Sequence, residues 1–154
     1  MAVGEYKFPI MVPIEGVRIG TASAGIKTVG RQDVMLMEVA EGSCVSGVFT
    51  QNAFCAAPVK VSKQHAKDNS IRYLLTNSGN ANACTGKQGY LDALSSCQKV
   101  ATVAQVEAGQ VLPFSTGVIG QELPMDKLLN AIPLAYQDLC ISGWKRAAQA
   151  IMTT

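Results

Sequence analysis

Runs of apolar residues predict a set of short strands along the chain. The run Val34–Ala40, VMLMEVA, is nearly all apolar, which predicts a strand that is buried on both faces. The run Ile71–Thr76, IRYLLT, also predicts a strand because apolar and β-branched residues dominate it. Further strands are predicted at Val17–Thr21, Ser43–Phe49 and Val111–Phe114.

Apolar residues at helical spacing predict helices between these strands. Gly89–Gln105 has apolar residues at positions 91, 94, 97, 100, 101 and 104, which form one stripe. Pro124–Ala135 begins with a proline, and Asp126 suits the positive end of the helix dipole. Two more helices are predicted, at Ser62–Lys67 and Tyr136–Met152. Mixed strands and helices without a repeat or linker predict one domain of the α/β or α+β class over residues 1–154.

The amino-acid composition and charge exclude several classes of protein for this chain. Apolar residues make up 48% of the chain and charged residues only 16%, against about 25% in typical soluble domains. Such a chain buries much of its surface, in its own core or against a partner. The net charge of +2 is too small to indicate nucleic acid or a membrane surface. The N-terminus lacks the basic start and apolar run of a signal peptide, so we expect a cytoplasmic protein.

The cysteines and the histidine are candidates for reactive or metal-binding groups. Five cysteines without a C-x-x-C pair predict reduced, small, buried side chains in a cytoplasmic protein. The spacing does not fit zinc, and we expect no metal. A cysteine nucleophile needs a base, and His65 is the only imidazole. It lies in the polar stretch SKQHAKDN, which predicts a solvated histidine on an exposed helix.

The segment NSGNANACTG, residues 77–86, predicts a polar loop between a strand and a helix. Such loops often carry ligand sites in α/β proteins, so the asparagines are candidates for a polar cradle beside a substrate. Alternatively, their side chains satisfy nearby backbone groups in a turn. Spacing alone favours the turn. The segment lacks the Gly-Lys-Ser/Thr ending of a phosphate-binding loop.

The segment PFSTGVIGQELPMDKL, residues 113–128, ends a predicted strand in Ser-Thr-Gly. A threonine hydroxyl and an adjacent glycine N–H are two donors of the kind that an oxyanion hole requires. Glycine also lets a ligand approach the backbone closely. The alternative is an ordinary turn at a strand end. Because Ser-Thr-Gly is a common triplet, the triplet by itself favours the turn.

Four segments occur together and in order: FTQNAFCAAPVKVSK (49–63), LLTNSGNANACTGKQG (74–89), PFSTGVIGQELPMDKL (113–128) and AAQAIMTT (147–154). Over about residues 16–154 the chain closely resembles the N-terminal part of the arginine-biosynthesis glutamate N-acetyltransferases, also called ornithine acetyltransferases. The resemblance implies an αββα sandwich similar in outline to N-terminal-nucleophile hydrolases, of which this chain is the N-terminal half.

The resemblance also implies an activity and an assembly. Members are made as a precursor that cuts itself at an Ala-Thr bond, and the new N-terminal threonine of the β chain is the nucleophile. It takes an acetyl group from N-acetylornithine and passes it to glutamate through an acyl-enzyme. Some members also use acetyl-CoA as the acetyl donor, and no other cofactor is implied. The usual assembly is an α2β2 heterotetramer.

Three residues take roles from this resemblance. Thr116 and Gly117 correspond to the family's oxyanion-stabilising pair, through a hydroxyl and a backbone N–H. Thr154 corresponds to a substrate-contacting threonine. The chain stops before the family's cleavage site, which implies a truncated α chain, a remainder supplied as another chain, or a split gene. In each case we expect this chain to be inactive alone and to need the β chain. Two alternatives stay open: an amidase or aminopeptidase with an N-terminal nucleophile, and a non-catalytic binding module.

Overall fold

A computed structural model of the protein describes residues 9–67 and 70–152. It contains a four-stranded mixed sheet in the order β1-β2-β3-β4. The first three strands pair antiparallel and β4 pairs parallel to β3. The strands are β1 Val17–Ala22, β2 Val34–Val39, β3 Tyr73–Asn80 and β4 Val111–Val118.

Helices follow the second, third and fourth strands. They are α1 Ala57–His65, α2 Gly86–Ala104, α3 Met125–Gln137 and α4 Trp144–Ala150, with a short 3-10 helix at Ala108–Gln110. The expected mixture of α and β structure is confirmed. None of the helices in the described residues combines the length and the apolar character needed to cross a membrane.

One face of the sheet carries the main core. Val34 and Leu36 of β2 are fully buried in a cluster with side chains of α2 and α3, whereas Met35 and Met37 between them are only partly buried. Side chains alternate between the faces of a strand, so the helices cover one face of β2 and leave the other partly open. The prediction that this strand is buried on both faces is therefore wrong.

The opposite face of the sheet is apolar and incompletely covered. In register with Met35 and Met37 lie Thr76, Leu74 and, on β4, Phe114, which is 41% exposed. Among the described helices, the short α4 packs on this side, against β1 and β2: Gly143 lies against Ile19, and the Ser78 hydroxyl of β3 donates to the Ala150 carbonyl at 2.6 Å. We call the partly buried side chains of this side the open face; they are Met35, Met37, Leu74, Thr76 and Phe114.

Helix α1 covers the outer edge of β4. The Ser62 hydroxyl donates to the Pro113 carbonyl and His65 Nδ1–H donates to the Val111 carbonyl, each at 2.7 Å. His65 is 8% exposed, so the prediction of a solvated histidine is wrong. One side of α1 faces the strand, and its polar side chains satisfy carbonyls that an edge strand otherwise exposes.

Two elements differ from the pattern-based expectation for a physical reason. Ser43–Phe49 forms no strand, and within the described residues it has no pairing partner in the sheet. The predicted helix Tyr136–Met152 shrinks to α4 because Cys140 pairs with Ile19 through two backbone hydrogen bonds of 2.8 and 3.1 Å. This bridge requires an extended backbone at Cys140, which a continuous helix excludes.

The five cysteines are free thiols in different environments. Cys97 is fully buried, and burial raises its pKa to about 12. Cys44 and Cys84 are exposed, so the prediction of buried cysteines is wrong for these two. In the part of the chain that the structure describes, no group of three His, Cys, Asp or Glu residues is placed to hold a metal ion.

A buried carboxylate ties three strands together. Glu38 of β2 forms an ion pair with Arg18 of β1 and accepts a hydrogen bond of 2.9 Å from the Tyr73 hydroxyl of β3. Burial by itself raises the pKa of Glu38, but the hydrogen bonds from Arg18 and Tyr73 outweigh it and hold the pKa below its ordinary value. The same arrangement raises the pKa of Tyr73, first through burial and then through its bond to Glu38.

Candidate active site

Strand β3 continues through residues that the sequence assigned to a loop. Asn77 to Asn80 belong to the strand, and only residues 81–85 connect it to α2. The Asn77 side chain donates to the Asn80 carbonyl at 2.9 Å, and the Asn82 side chain donates to the Gly89 carbonyl at 2.8 Å. All three asparagine side chains in this segment are buried. Their role in satisfying backbone groups is confirmed, while the loop prediction is wrong for its first half.

Asn80 fixes the end of β3 to the segment that follows β4. Its side-chain NH₂ donates to the carbonyls of Gln121 and Glu122, both at 3.1 Å. Its side-chain oxygen accepts from the Asn82 N–H at 2.7 Å. The carboxyl ends of the two parallel strands are therefore held together by one buried amide.

Strand β4 runs through the Ser-Thr-Gly triplet and does not stop at Phe114 as predicted. The Ser115 hydroxyl donates to the Asn77 side-chain oxygen at 2.6 Å, so this serine supports the structure. Thr116 is exposed, and its hydroxyl makes no hydrogen bond within the described residues. Of the two hydroxyls, only that of Thr116 is open to a ligand.

Gly117 lies at the closest approach of β4 to β3. Its φ is +138°, and a Cβ atom placed there would lie 2.3 Å from the carbonyl carbon of Gly79 and 2.5 Å from the Asn80 nitrogen. Real Cβ atoms do not come so close, so only glycine fits. The ladder is irregular at this point, with a register shift at Gly79 and Asn80. The backbone beside the Thr116 hydroxyl is thus fixed before any ligand arrives.

A loop between β1 and β2 completes one wall of the site. The buried Asp33 carboxylate accepts from the N–H groups of Ala24 and Ile26, both at 2.6 Å. These bonds bring Lys27 against Gly79, where an added Cβ would lie 2.9 Å from the lysine Cβ. Pattern reasoning along the sequence missed this wall. The only local signal is an aspartate directly before a strand, in a loop with two glycines.

Between this loop and the ends of β3 and β4 lies a cleft of about 330 Å³. It is open to solvent at one side, and Val118, next to Gly117, is part of its lining. Its lining residues are Ile26, Lys27, Gly79, Asn80, Val118, Gln121, Glu122 and Pro124. The structure therefore joins the strand end that carries Thr116 and Gly117 to a cavity large enough for a small molecule.

The end of α4 approaches the same place from the other face of the sheet. The Arg31 guanidinium donates to the Met152 carbonyl, and Met152, Lys27 and Gly79 line a second, much smaller cleft. Thr154, the predicted substrate contact, lies outside the described residues. Met152, the last described residue, lies at this second cleft with Gly79, whose register partner Gly117 directly follows Thr116.

This arrangement suits the stabilisation of negative charge. It combines the Thr116 hydroxyl, which has no partner in the described part of the chain, a rigid glycine backbone at Gly117 and a lysine beside the cleft. The described residues do not pair a nucleophile with a base there, because the imidazole of His65 is committed to the Val111 carbonyl.

Comparison with known proteins places the chain in a family. A family model described as the ArgJ family matches residues 18–154. The arginine biosynthesis bifunctional protein ArgJ of Methylococcus capsulatus is 56% identical over 144 residues, which are 94% of this chain and 35% of that protein. The protein of the same name from Pseudomonas syringae pv. tomato is 51% identical over 154 residues, which are 100% of this chain and 38% of that protein.

Solved structures agree in fold. The ornithine acetyltransferase of Mycobacterium tuberculosis, solved in complex with ornithine, superposes with a TM-score of 0.88 at 37% identity, over 94% of this chain and 79% of that one. The ArgJ protein of Bacillus halodurans superposes with a TM-score of 0.82 at 33% identity, over 91% of this chain and 73% of that one.

The chain spans only 35–38% of the length of the two curated relatives, and the match lies over nearly all of its own residues. The expected resemblance is thereby confirmed at the level of both sequence and fold. The chain belongs to the ArgJ family.

Proposed function

We propose that this chain is the α-chain part of a glutamate N-acetyltransferase of arginine biosynthesis. The enzyme moves an acetyl group from N-acetylornithine to glutamate through an acetyl-threonine intermediate, and the nucleophilic threonine belongs to the β chain. The observation that carries the proposal is the forced contact of Gly117 with Gly79 and Asn80, which presents the free hydroxyl of Thr116 beside a cleft.

The role proposed for this chain is to stabilise the oxyanion. When the threonine of the β chain attacks the acetyl carbonyl, negative charge develops on the carbonyl oxygen. The Thr116 hydroxyl and the Gly117 N–H donate to it, and each such donor contributes about 2.7–4 kcal/mol in comparable enzymes. Ornithine then leaves, the amine of glutamate attacks the acetyl-enzyme, and the same two donors stabilise the second tetrahedral oxyanion. The cycle is ping-pong.

The partner proposed for this chain is the β chain, within an α2β2 heterotetramer. The open face of the sheet supports this proposal, because Met35, Met37 and Leu74 are partly buried and Phe114 is 41% exposed. In an αββα sandwich a second sheet packs on such a surface and removes it from water. We further propose a cytoplasmic location and no bound cofactor; acetyl-CoA, where it is the donor, is consumed as a substrate.

An N-terminal-nucleophile amidase is the second candidate, because the same two donors stabilise the oxyanion when water is the acceptor in place of glutamate. A binding module without catalysis is the third. The three differ in what happens to the acetyl group and to the precursor, and both can be measured on one sample.

The test is an acetyl-transfer assay with N-acetylornithine and glutamate, with intact mass read on the same samples. It compares this chain alone with the chain extended through its native downstream sequence. We expect a cleaved, active protein only for the extended form. Cleavage with release of acetate but no transfer to glutamate supports the amidase, and a protein that neither cleaves nor reacts supports the binding module.

A further inference from the structure

Lys27 stands out among the charged groups that the structure describes, because its backbone is fixed and its exposed ammonium group has no described ion-pair partner. The Asp33 carboxylate, which holds the loop through the N–H groups of Ala24 and Ile26, brings its backbone against Gly79. Lys27 makes no ion pair or side-chain hydrogen bond with any other described residue. A lysine held at a cleft without a carboxylate partner is available to an anionic ligand.

Lys27 packs closely against Gly79, which in turn packs closely against Gly117 of the proposed oxyanion site. The Cβ of Lys27 lies 2.9 Å from the position of a Cβ on Gly79. The carbonyl carbon of Gly79 in turn lies 2.3 Å from the position of a Cβ on Gly117. The segments that carry Lys27, Gly79 and Gly117 are therefore packed so closely that neither glycine has room for a side chain, which fixes the base of the lysine side chain relative to the strand end.

Lys27 lines the cleft beside the ends of β3 and β4. Lys27 and Val118 line the same space of about 330 Å³, and Val118 directly follows Gly117. Glu122 is the one acidic residue in that lining, and its carboxylate is not paired with Lys27. Lys27 is the one cationic side chain in that lining, so a ligand that extends from the strand end into this cleft passes it.

We propose that the Lys27 ammonium group binds the α-carboxylate of the amino-acid substrates and so makes the site specific for acids over amides. The inference rests on the proposed function, in which an N-acyl amino acid and a free amino acid occupy one site in turn. Both carry an α-carboxylate a few bonds from the reacting nitrogen. One cation at a fixed distance from the oxyanion site therefore orients donor and acceptor alike.

The test compares two donors on the chain extended through its native downstream sequence. One donor is N-acetylornithine, and the other is its α-carboxamide, which keeps the shape and loses the charge. We expect the unmodified enzyme to prefer the acid by roughly ten- to a hundredfold in kcat/KM, the range of one charged hydrogen bond. In Lys27→Met this preference falls towards one, because only the reaction of the acid slows.

Two variants separate recognition from a merely structural effect. Lys27→Arg keeps the positive charge and is expected to keep most of the preference for the acid. Lys63→Met removes one exposed positive charge from α1 and is expected to leave the preference unchanged. A structural role for Lys27 slows both donors equally and leaves their ratio unchanged, which overturns the inference.

The outcomes distinguish the inference from the proposed function. An enzyme that transfers acetyl groups, and whose Lys27→Met variant still prefers the acid as strongly, overturns the role of Lys27 and leaves the acetyltransferase intact. An extended chain that cleaves itself but transfers acetyl from neither donor overturns the proposed function, and the carboxylate role of Lys27 with it.

Discussion

At the scale of single residues, the site depends on two glycines that leave no room for a side chain. Gly117 and Gly79 both have positive φ values, of +138° and +96°, and each lies in contact with the backbone of a neighbouring segment. An ordinary strand end does not require such close packing. The packing is explained if the backbone beside Thr116 must lie close to a ligand and stay rigid when the ligand binds.

Gly117→Ala tests this crowding. The new methyl group meets Gly79 and Asn80 at 2.3–2.7 Å in an unfavourable backbone conformation, so the strands must separate. We expect a loss of roughly 2–4 kcal/mol in the free energy of unfolding, measured by urea denaturation. Gly109→Ala is the matched control, because nothing lies within 4 Å of its added Cβ. Equal stability of the two variants would contradict the close packing of β4 on β3.

At the scale of elements, Glu38 connects three strands through one carboxylate. Arg18 of β1 and Tyr73 of β3 both bind it from the neighbouring strands. These partners require the ionised form, which is why the pKa of Glu38 is held below its ordinary value of 4.5 although burial opposes ionisation. The ionised Glu38 carboxylate, which links the three strands, therefore makes a pH-dependent contribution to the free energy of unfolding.

Glu38→Gln tests this contribution. Because the folded-state pKa is lowered, the stabilisation is fully present above pH 4.5 and is lost as the pH falls through the folded-state value. We expect the urea midpoint of the unmodified chain to fall more steeply than that of Glu38→Gln as the pH falls from about 5 to about 3. Glu41→Gln is the control, since Glu41 is 92% exposed. Parallel curves for all three proteins would show that Glu38 contributes nothing to the acid response.

At the scale of the whole molecule, the sheet is covered on one side only. The helices α2 and α3 pack on one face over the main core, and α4 covers a corner of the other. The remaining open face is apolar, which agrees with the low fraction of charged residues, 16%. Such a surface destabilises an isolated chain in water and favours association.

Phe114→Thr tests the open face on the chain alone. We expect the unmodified chain to associate in a concentration-dependent way in sedimentation experiments, and Phe114→Thr to associate measurably less because it removes an exposed aromatic ring. Leu134→Thr is the control: Leu134 is 55% exposed on α3, on the other side of the sheet. If the unmodified chain is a monomer with a sharp thermal unfolding transition that does not depend on concentration, the proposed association through the open face is contradicted.

The sequence predicts those elements of the fold that depend on interactions between residues close together in the chain. Helix α2 was predicted because its apolar stripe repeats within the element, and β2 because its apolar run is local. The extension of β4 through Thr116 was not predicted, since polar residues and glycine end strands by local preference. Pairing with β3, distant in sequence, overrides that preference. The burial of His65 against Val111 depends on packing in the same way.

The residues of the candidate site show the same difference between local and long-range interactions. Thr116 and Gly117 were identified by resemblance, because their motif is contiguous in the sequence. Lys27 was missed, because its approach to Gly79 depends on the hydrogen bonds of Asp33 and on strand order. Short-range patterns do not contain that information.

The most direct test of the central claim is kcat for acetyl transfer by Thr116→Val and Thr116→Ser, on the chain extended through its native downstream sequence. Valine keeps the shape of threonine and removes the hydroxyl, whereas serine keeps the hydroxyl. Thr116 is exposed, so neither change disturbs the core. The account predicts that valine lowers kcat by about 10²–10³-fold while serine retains most of the activity. Valine activity within about threefold of the unmodified enzyme would contradict an oxyanion role for Thr116.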